Sequence, residues 1–319
     1  MLDLIDITKV YRGGHRAVDG ITLGLRPGVL GLLGPNGAGK STLMRIAASA
    51  ARPTAGRVLL DGADVSARPR ALRRTLGYLP QDFGFYPNLT AREFLSYLAA
   101  AKGVGARTAR VRIGELLELV GLGAAADRRL GGYSGGMVRR VGIAQALVND
   151  PRVIILDEPT AGLDPEERAR LHALLSDLAA ERVVVLSTHI VPDVEEVAAD
   201  VAVVAAGRLV LRGRPADLVA DMAGRVWEAV VDPVALPVIG GRFPVVRSVR
   251  DGELVRVRLV APERPLSDAV PLQAGLEDVY RSAVAASAPD AVPGAPPGTP
   301  YGAAPDALPG PHPSPGAAR

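Results

Sequence analysis

Along the first 220 residues, uninterrupted apolar runs alternate with stretches in which apolar positions recur every three to four residues. Three of the runs share a form. The run 29-VLGLL-33 stops at a glycine-rich loop, 153-VIIL-156 stops at Asp157-Glu158, and 183-VVVL-186 leads through Ser187-Thr188 to His189. Short apolar runs bounded by polar or turn residues read as strands buried on both faces, as in a parallel sheet. A helical stretch, 138-VRRVGIAQALVN-149, follows a glycine turn and stops before Pro151. Strands and helices alternating in this way make an α/β core. Beyond residue 225 the period shortens to two. Here 225-RVWEAVV-231, 245-VVRSVR-250 and 253-ELVRVRLV-260 read as strands, with a hairpin at Asp251-Gly252. The helical pattern 275-GLEDVYRSAV-284 closes this second unit. The expected division is a core over residues 1–220, a small α+β unit over 221–286 and a tail over 287–319.

Composition sets the tail apart. Ten of the 27 prolines fall in the last 31 residues, which leaves little apolar surface to bury, so the tail is expected to be disordered. In the whole chain 48% of residues are apolar, yet no window approaches the roughly 18 consecutive apolar residues of a membrane span. Asp3 and Asp6 stand where a secretion signal would be basic and then apolar, and a cytosolic protein is expected. The absence of cysteine excludes disulfides and thiolate metal sites. Thirty-seven basic residues against 34 acidic ones leave a charge of +3, too balanced to point to nucleic acid. Six of the twelve aromatics lie between Tyr78 and Tyr97: Tyr78, Phe83, Phe85, Tyr86, Phe94 and Tyr97. They fit either the core of a small helical subdomain or a docking surface.

The chemistry sits in the turns after the apolar runs. The loop 34-GPNGAGKST-42 satisfies G-x-x-x-x-G-K-[ST] between a strand and a helix, the context that motif requires. Gly34, Gly37 and Gly39, with Pro35, Asn36 and Ala38 between them, let backbone amides wrap a β-phosphate. Lys40 reaches the β/γ oxygens, Ser41 is placed to ligate Mg²⁺, and Thr42 continues the cradle. Asp157, ending the second strand, is expected to hold Mg²⁺, and Glu158 beside it to polarise an attacking water. His189 ends the next strand and is expected at the same site. Gln81, in 78-YLPQDFG-84, follows another short apolar run and is a candidate sensor of the metal or the water. A second glycine turn, 131-GGYSGGM-137, has no lysine. Ser134 is a good helix N-cap, and Gly135-Gly136 free the amides of a helix starting near Met137 to face an anion. Two phosphate cradles in one chain make sense if the second closes over a nucleotide held by the first cradle of another copy.

Together these motifs resemble the nucleotide-binding subunits of ATP-binding cassette (ABC) transporters, over roughly residues 1–220. In that comparison GPNGAGKST is the Walker A loop, Gln81 the Q-loop glutamine, YSGGM the signature, VIILDE the Walker B strand, AGLDP the D-loop and His189 the H-loop histidine. The resemblance implies a P-loop NTPase core with an N-terminal antiparallel β subdomain and a helical signature subdomain. It also implies that Tyr11 stacks on adenine, that ATP and Mg²⁺ are used, and that Ser134, Gly135 and Gly136 act in trans. Catalytic roles follow for Glu158, His189 and Gln81, with Ser41, Gln81 and Asp157 around the metal. The signature departs from the common LSGGQ at Tyr133 and Met137, while keeping the residues that face phosphate. GGM-x-RR-x-GIAQAL and a C-terminal unit ending in LEDVY look like the branch that serves type-2 exporters. That branch implies a homodimer, or pairing with a similar subunit, on separate transmembrane permease subunits at the cytoplasmic face of the membrane. A soluble cassette ATPase acting on DNA or ribosomes, an importer subunit and a nucleotide-gated scaffold are the alternatives. Only 93 residues separate Lys40 from Ser134 and none form heptads, which opposes the coiled-coil DNA-repair type, and Glu158 opposes a scaffold without hydrolysis.

Overall fold

The computed structural model describes residues 1–65 and 69–287, so the proline-rich stretch over 288–319 lies outside the described residues. In chain order the strands are β1 (Leu2–Val10), β2 (Arg16–Leu25), β3 (Gly28–Leu33), β4 (Ala55–Leu60), β5 (Ala63–Asp64), β6 (Leu76–Leu79) and β7 (Val153–Asp157). They continue with β8 (Val183–Thr188), β9 (Asp200–Ala205), β10 (Arg208–Gly213), β11 (Val226–Val231), β12 (Val245–Asp251), β13 (Leu254–Val260) and β14 (Val270–Pro271). The helices are α1 (Lys40–Ala47), α2 (Pro69–Thr75), α3 (Ala91–Ala101), α4 (Ala106–Leu119) and α5 (Gly135–Leu147). After them come α6 (Pro165–Ala179), α7 (Val191–Val197), α8 (Pro215–Ala220), α9 (Leu236–Arg242) and α10 (Leu276–Ala286).

The apolar runs read from the sequence form the centre of the molecule. The sheet β10–β9–β3–β8–β7–β6 is parallel from β9 to β6, with β10 antiparallel on its edge. Every residue of β7 and β8 is buried. Alternate side chains on these strands enter different cores, as the pleat dictates. Val183 and Val185 pack with Ile155 and Leu32 against β1 and β2, whereas Val184 and Leu186 pack with Ile154 and Leu156 against the helices. The first partner is the antiparallel sheet β2–β1–β4–β5. The second is a helical layer in which Phe94, Leu95, Ile113, Leu117 and Val141 are buried.

The aromatic cluster divides residue by residue into a buried part and an exposed part. Phe94 is buried and Phe83 and Phe85 pack against the helical core, while Tyr86 and Tyr97 are 54% and 55% exposed. Tyr86 meets Tyr97 edge-on at 5.9 Å and Phe94 at 6.3 Å, which joins the exposed pair to the core.

The C-terminal strands make a third sheet, β12–β13–β11–β14. Its hairpin lies one residue further on than the Asp251-Gly252 reading. Asp251 pairs with Leu254, so the two-residue loop is Gly252-Glu253, with positive φ at Gly252 alone. Glycine at the first central position is the type II′ preference. Ala229, Val231, Val257 and Leu259 line one core beneath this sheet. Leu276, Val279 and Tyr280 of α10 instead pack with Leu33, Val201 and Val203 of the central sheet.

Candidate nucleotide site

The register of the central sheet brings the candidate residues together. Leu33 is level with Thr188, and Asp157 with Ser187, so the turns after β3, β7 and β8 leave the sheet at one edge. That edge, beyond the carboxyl ends of parallel strands, is where open α/β sheets bind ligands.

The loop after β3 is tight for steric reasons. A Cβ on Gly34 would lie 2.2 Å from the carbonyl oxygen of Val204, and one on Gly39 would lie 2.2 Å from that of Ala17. Gly39 also has φ +102° and ends the loop as the N-cap of α1. Lys40, the first residue of α1, is 6% exposed. Its Nζ donates to the carbonyl oxygens of Gly34 at 2.6 Å and Pro35 at 3.1 Å. Burial lowers the Lys40 pKa below its ordinary value, while the charges of Glu158 and Asp157 favour the ammonium. Residues 36–42, Tyr11, Gln81 and Glu158 line one open cavity around it. Tyr11 is 39% exposed, and its hydroxyl stands 3.4 Å from Thr42 Oγ1, which places the ring beside the loop.

Asp157 is 1% exposed, and its Oδ1 is buried with no hydrogen-bond partner. A buried carboxylate oxygen without a partner needs explaining, and a divalent cation is a fitting one. Among the described residues no group of three or more His, Asp or Glu side chains forms a complete metal cage. Mg²⁺ suits such a site, because it binds through one or two carboxylates together with phosphate oxygens. Glu158 has φ +52°, in the left-handed region, and its N–H donates to the Ser187 carbonyl at 2.9 Å. Its carboxylate meets His189 Nδ1 at 2.9 and 3.0 Å. Glu158, Gln81, Asn36, His189 and Gly135 line a second cavity beside the first.

The signature turn is built as expected with one difference: the glycines are inside the helix. Helix α5 starts at Gly135, and Ser134 caps it by accepting from Met137 N–H at 3.3 Å. Ser134 is exposed and, like Gly136, is not among the residues lining the cavity around Lys40. The two departures from LSGGQ have inward roles. Tyr133 and Met137 pack against the helical core, and the Tyr133 hydroxyl donates to the Ala125 carbonyl at 2.5 Å.

With this geometry in place the relatives agree. The family description "ABC transporter" matches residues 18–161. A Nod factor export ATP-binding protein I of Burkholderia pseudomallei (strain 1710b) is 38% identical over 286 residues, which is 88% of this chain and 93% of that protein. The methionine import ATP-binding protein MetN of Caulobacter vibrioides is 40% identical over 266 residues, 79% of this chain and 80% of its own length. The chain belongs to the ATP-binding proteins of ABC transporters. The solved bacterial cassette MJ0796 is 28% identical with a TM-score of 0.63, over 67% of this chain and 98% of that one. It is described both as a dimer and in a post-hydrolysis state bound to ADP and Pi. The present chain is accordingly an ATPase subunit of a transporter.

Two groups of this ABC ATPase were not read from its sequence. Arg139 of α5 is 7% exposed and donates into the turn that carries Glu158. Its signal was an arginine four positions before Ile143, on the helix face that is otherwise apolar. The second group joins α6 to α7. Asp193, 1% exposed, accepts from Thr160 Oγ1 at 2.7 Å, and His172 Nε2 stands 3.5 Å from its Oδ1. The close approach of the Asp193 carboxylate to the ring N–H, as a hydrogen-bond acceptor, is the main cause of a His172 pKa above the ordinary 6.5; burial opposes it, and Glu196, bonded to Nδ1, adds to it. No spacing in the sequence announces this pairing.

Proposed function

We propose that this chain binds Mg²⁺-ATP around residues 34–42, hydrolyses it with Glu158 as general base, and works as a paired subunit on a separate permease in export. The observation that carries this reading is the convergence of Lys40, Gln81 and Glu158 on one cavity, with the Glu158 carboxylate held by His189. In this reading the amides of residues 37–42 hold the β- and γ-phosphates. Lys40 exchanges the carbonyl oxygens of Gly34 and Pro35 for phosphate oxygens, and Tyr11 stacks on the base. Glu158 orients water and takes its proton, while His189 fixes the carboxylate and Gln81 senses the metal or the water. Ser41, Gln81 and Asp157 would hold Mg²⁺, which when bound would offset the negative charge of the phosphates.

Glu158→Gln keeps the shape of the side chain and removes its basicity. Loss of a general base costs about 10²–10⁴ in rate, so hydrolysis by this variant should fall that far while a fluorescent ATP analogue binds as before. A rate above roughly a tenth of wild type would remove Glu158 from this role.

The exposed Ser134 supports a second half-site supplied in trans, as does the dimeric description of MJ0796. The division into 1–220 and 221–286 belongs to the same reading: the C-terminal strands have a sheet and a core of their own, while α10 packs into the core of the first unit. Association with the cytoplasmic face of a membrane is part of the same reading, through the separate permease. Among the described residues no helix is long and apolar enough to cross a membrane. Export is favoured by the YSGGM signature, by the C-terminal unit and by the 93% coverage of a protein named for Nod factor export. The 40% identity to a methionine import protein is the observation on the other side. Inside-out vesicles bearing the chain and its permease separate the two directions. Given external ATP and a panel of labelled lipids, drugs and amino acids, an exporter fills the vesicle lumen and an importer empties it.

A further inference from the structure

A guanidinium has five N–H donors and no acceptor. Arg139 uses all five, and every acceptor is a backbone carbonyl. Nη1 donates to Pro80 at 3.1 Å and Gln81 at 3.0 Å. Nη2 donates to Asp157 and Glu158, and Nε to Pro159 at 3.4 Å. Burial works against the charge of this group, and the carboxylates of Asp157, Glu158 and Asp82 favour it.

The five carbonyls come from two segments that the sequence keeps far apart. Pro80 and Gln81 follow β6, whereas Asp157 ends β7 and Glu158 and Pro159 follow it. Three successive carbonyls converge on one cation, across a turn in which Glu158 holds the left-handed conformation. Such a conformation is unfavourable for a glutamate and persists only where its surroundings impose it. The cation itself rides on α5, whose first turn is the Ser134-Gly135-Gly136 segment. One side chain thus links the signature helix, the Gln81 segment and the turn of the candidate base.

We propose that Arg139 is a positioning residue for hydrolysis, which holds the Glu158 turn and the Gln81 segment on one cation and transmits displacements of α5 to the Glu158 carboxylate. This rests on the reading of Glu158 as general base. A merely structural arginine would support folding and nucleotide binding alike. A positioning one acts on the rate, and acts through Glu158.

The test uses the full chain with Arg139→Lys, Arg139→Met and Glu158→Gln, and each Arg139 variant combined with Glu158→Gln. Lysine keeps the charge but offers three donors on one atom, too few and too close together to span both segments. Thermal unfolding reports the fold, a fluorescent ATP analogue reports affinity, and single-turnover hydrolysis reports the chemical step. Arg139→Lys should bind the analogue within about threefold of wild type and hydrolyse at least about tenfold more slowly, with Arg139→Met slower still. On the Glu158→Gln background either Arg139 change should lower the residual rate by less than about twofold, because residues acting through one another are not additive. Should Arg139→Met fail to fold, Arg139→Lys carries the comparison. Wild-type hydrolysis in Arg139→Lys overturns the proposal, as do affinity and rate falling together, or losses that multiply in the combined variant. A Glu158→Gln rate near wild type overturns the base reading instead. An inactive Glu158→Gln beside a fully active Arg139→Lys removes Arg139 alone.

Discussion

In the proposed reading, the loop around Lys40 readies a single side chain for phosphate. Its ammonium is held at 6% exposure by two carbonyl oxygens of its own loop, with Glu158 and Asp157 near enough to favour its charge. A phosphate oxygen offers the same bonds together with a full negative charge, which adds an ion pair to hydrogen bonds that the ammonium already strengthens. Lys40→Ala should therefore weaken nucleotide binding itself, by about tenfold or more, in contrast to Glu158→Gln, which should spare it. Equilibrium titration with a fluorescent ATP analogue makes the comparison. Unchanged affinity in Lys40→Ala would contradict the placement of phosphate in this loop. The buried, unpartnered Oδ1 of Asp157 belongs to the same scale: a carboxylate left in that state is poised for a cation rather than for water.

At the scale of elements, helix ends and helix pairs do the positioning. Helix α5 presents its first turn at the surface, capped by Ser134. Replacing that cap costs about 1 kcal/mol, too little to unfold the chain. Ser134→Arg should accordingly leave nucleotide binding by the single chain nearly intact and block closure against a second copy. The measurement is ATP-dependent dimerisation of Glu158→Gln by size-exclusion chromatography, with and without Ser134→Arg. A stable ATP dimer in the combined variant would mean that this turn does not close over a partner's nucleotide. The α6–α7 pair makes a different prediction, in pH. The folded-state pKa of His172 is raised, so its contribution is complete below about pH 6.5 and is lost as pH rises through the folded value. Denaturant unfolding at pH 6 and pH 9 should show a larger loss of stability in wild type than in His172→Gln. Equal losses would sink this assignment. Thr160 ties Asp193 to the turn just past Glu158, so the helix pair supports the edge of the sheet that carries Glu158.

At the scale of the whole molecule, the C-terminal unit is packed into the ATPase core beneath the site. Leu276, Val279 and Tyr280 share a cluster with Leu33, the residue that precedes the phosphate loop. Asp278 of the same helix is 1% exposed and is held by Arg258 of β13 at 2.8 and 2.6 Å. Burying a large apolar side chain contributes roughly 1.5–3 kcal/mol, so removing α10 should be costly. A chain ending at Ser287 is expected to keep its fold and its ATPase activity, since the proline-rich sequence beyond has little apolar surface to bury. A chain ending at Ala220 should unfold at markedly lower temperature. Calorimetry and ATPase assays on the two truncations decide the point, and equal melting temperatures would contradict the shared core.

The sequence by itself determined whatever depends on neighbours along the chain. The buried strands, the glycine loop between β3 and α1, the acids closing β7 and the histidine closing β8 are local patterns. Their periodicity and turn chemistry survive any change elsewhere, so they were legible with their boundaries nearly right. Even the hairpin missed its place by only one residue, because Asp251-Gly252 and Gly252-Glu253 are both acceptable turn centres until cross-strand pairing selects a register. Tertiary structure alone decided what crosses between elements. Arg139 meets carbonyl oxygens some 60 residues before it and 20 after it, and a backbone acceptor leaves no mark in residue type. His172 and Asp193 find each other only because α6 and α7 lie side by side. The same holds for the aromatic cluster, where packing of α3 against the helical core buried Phe94 and left Tyr86 and Tyr97 outside. Side-chain chemistry is written in the chain, whereas burial and hydrogen-bond partnership are properties of the packed molecule.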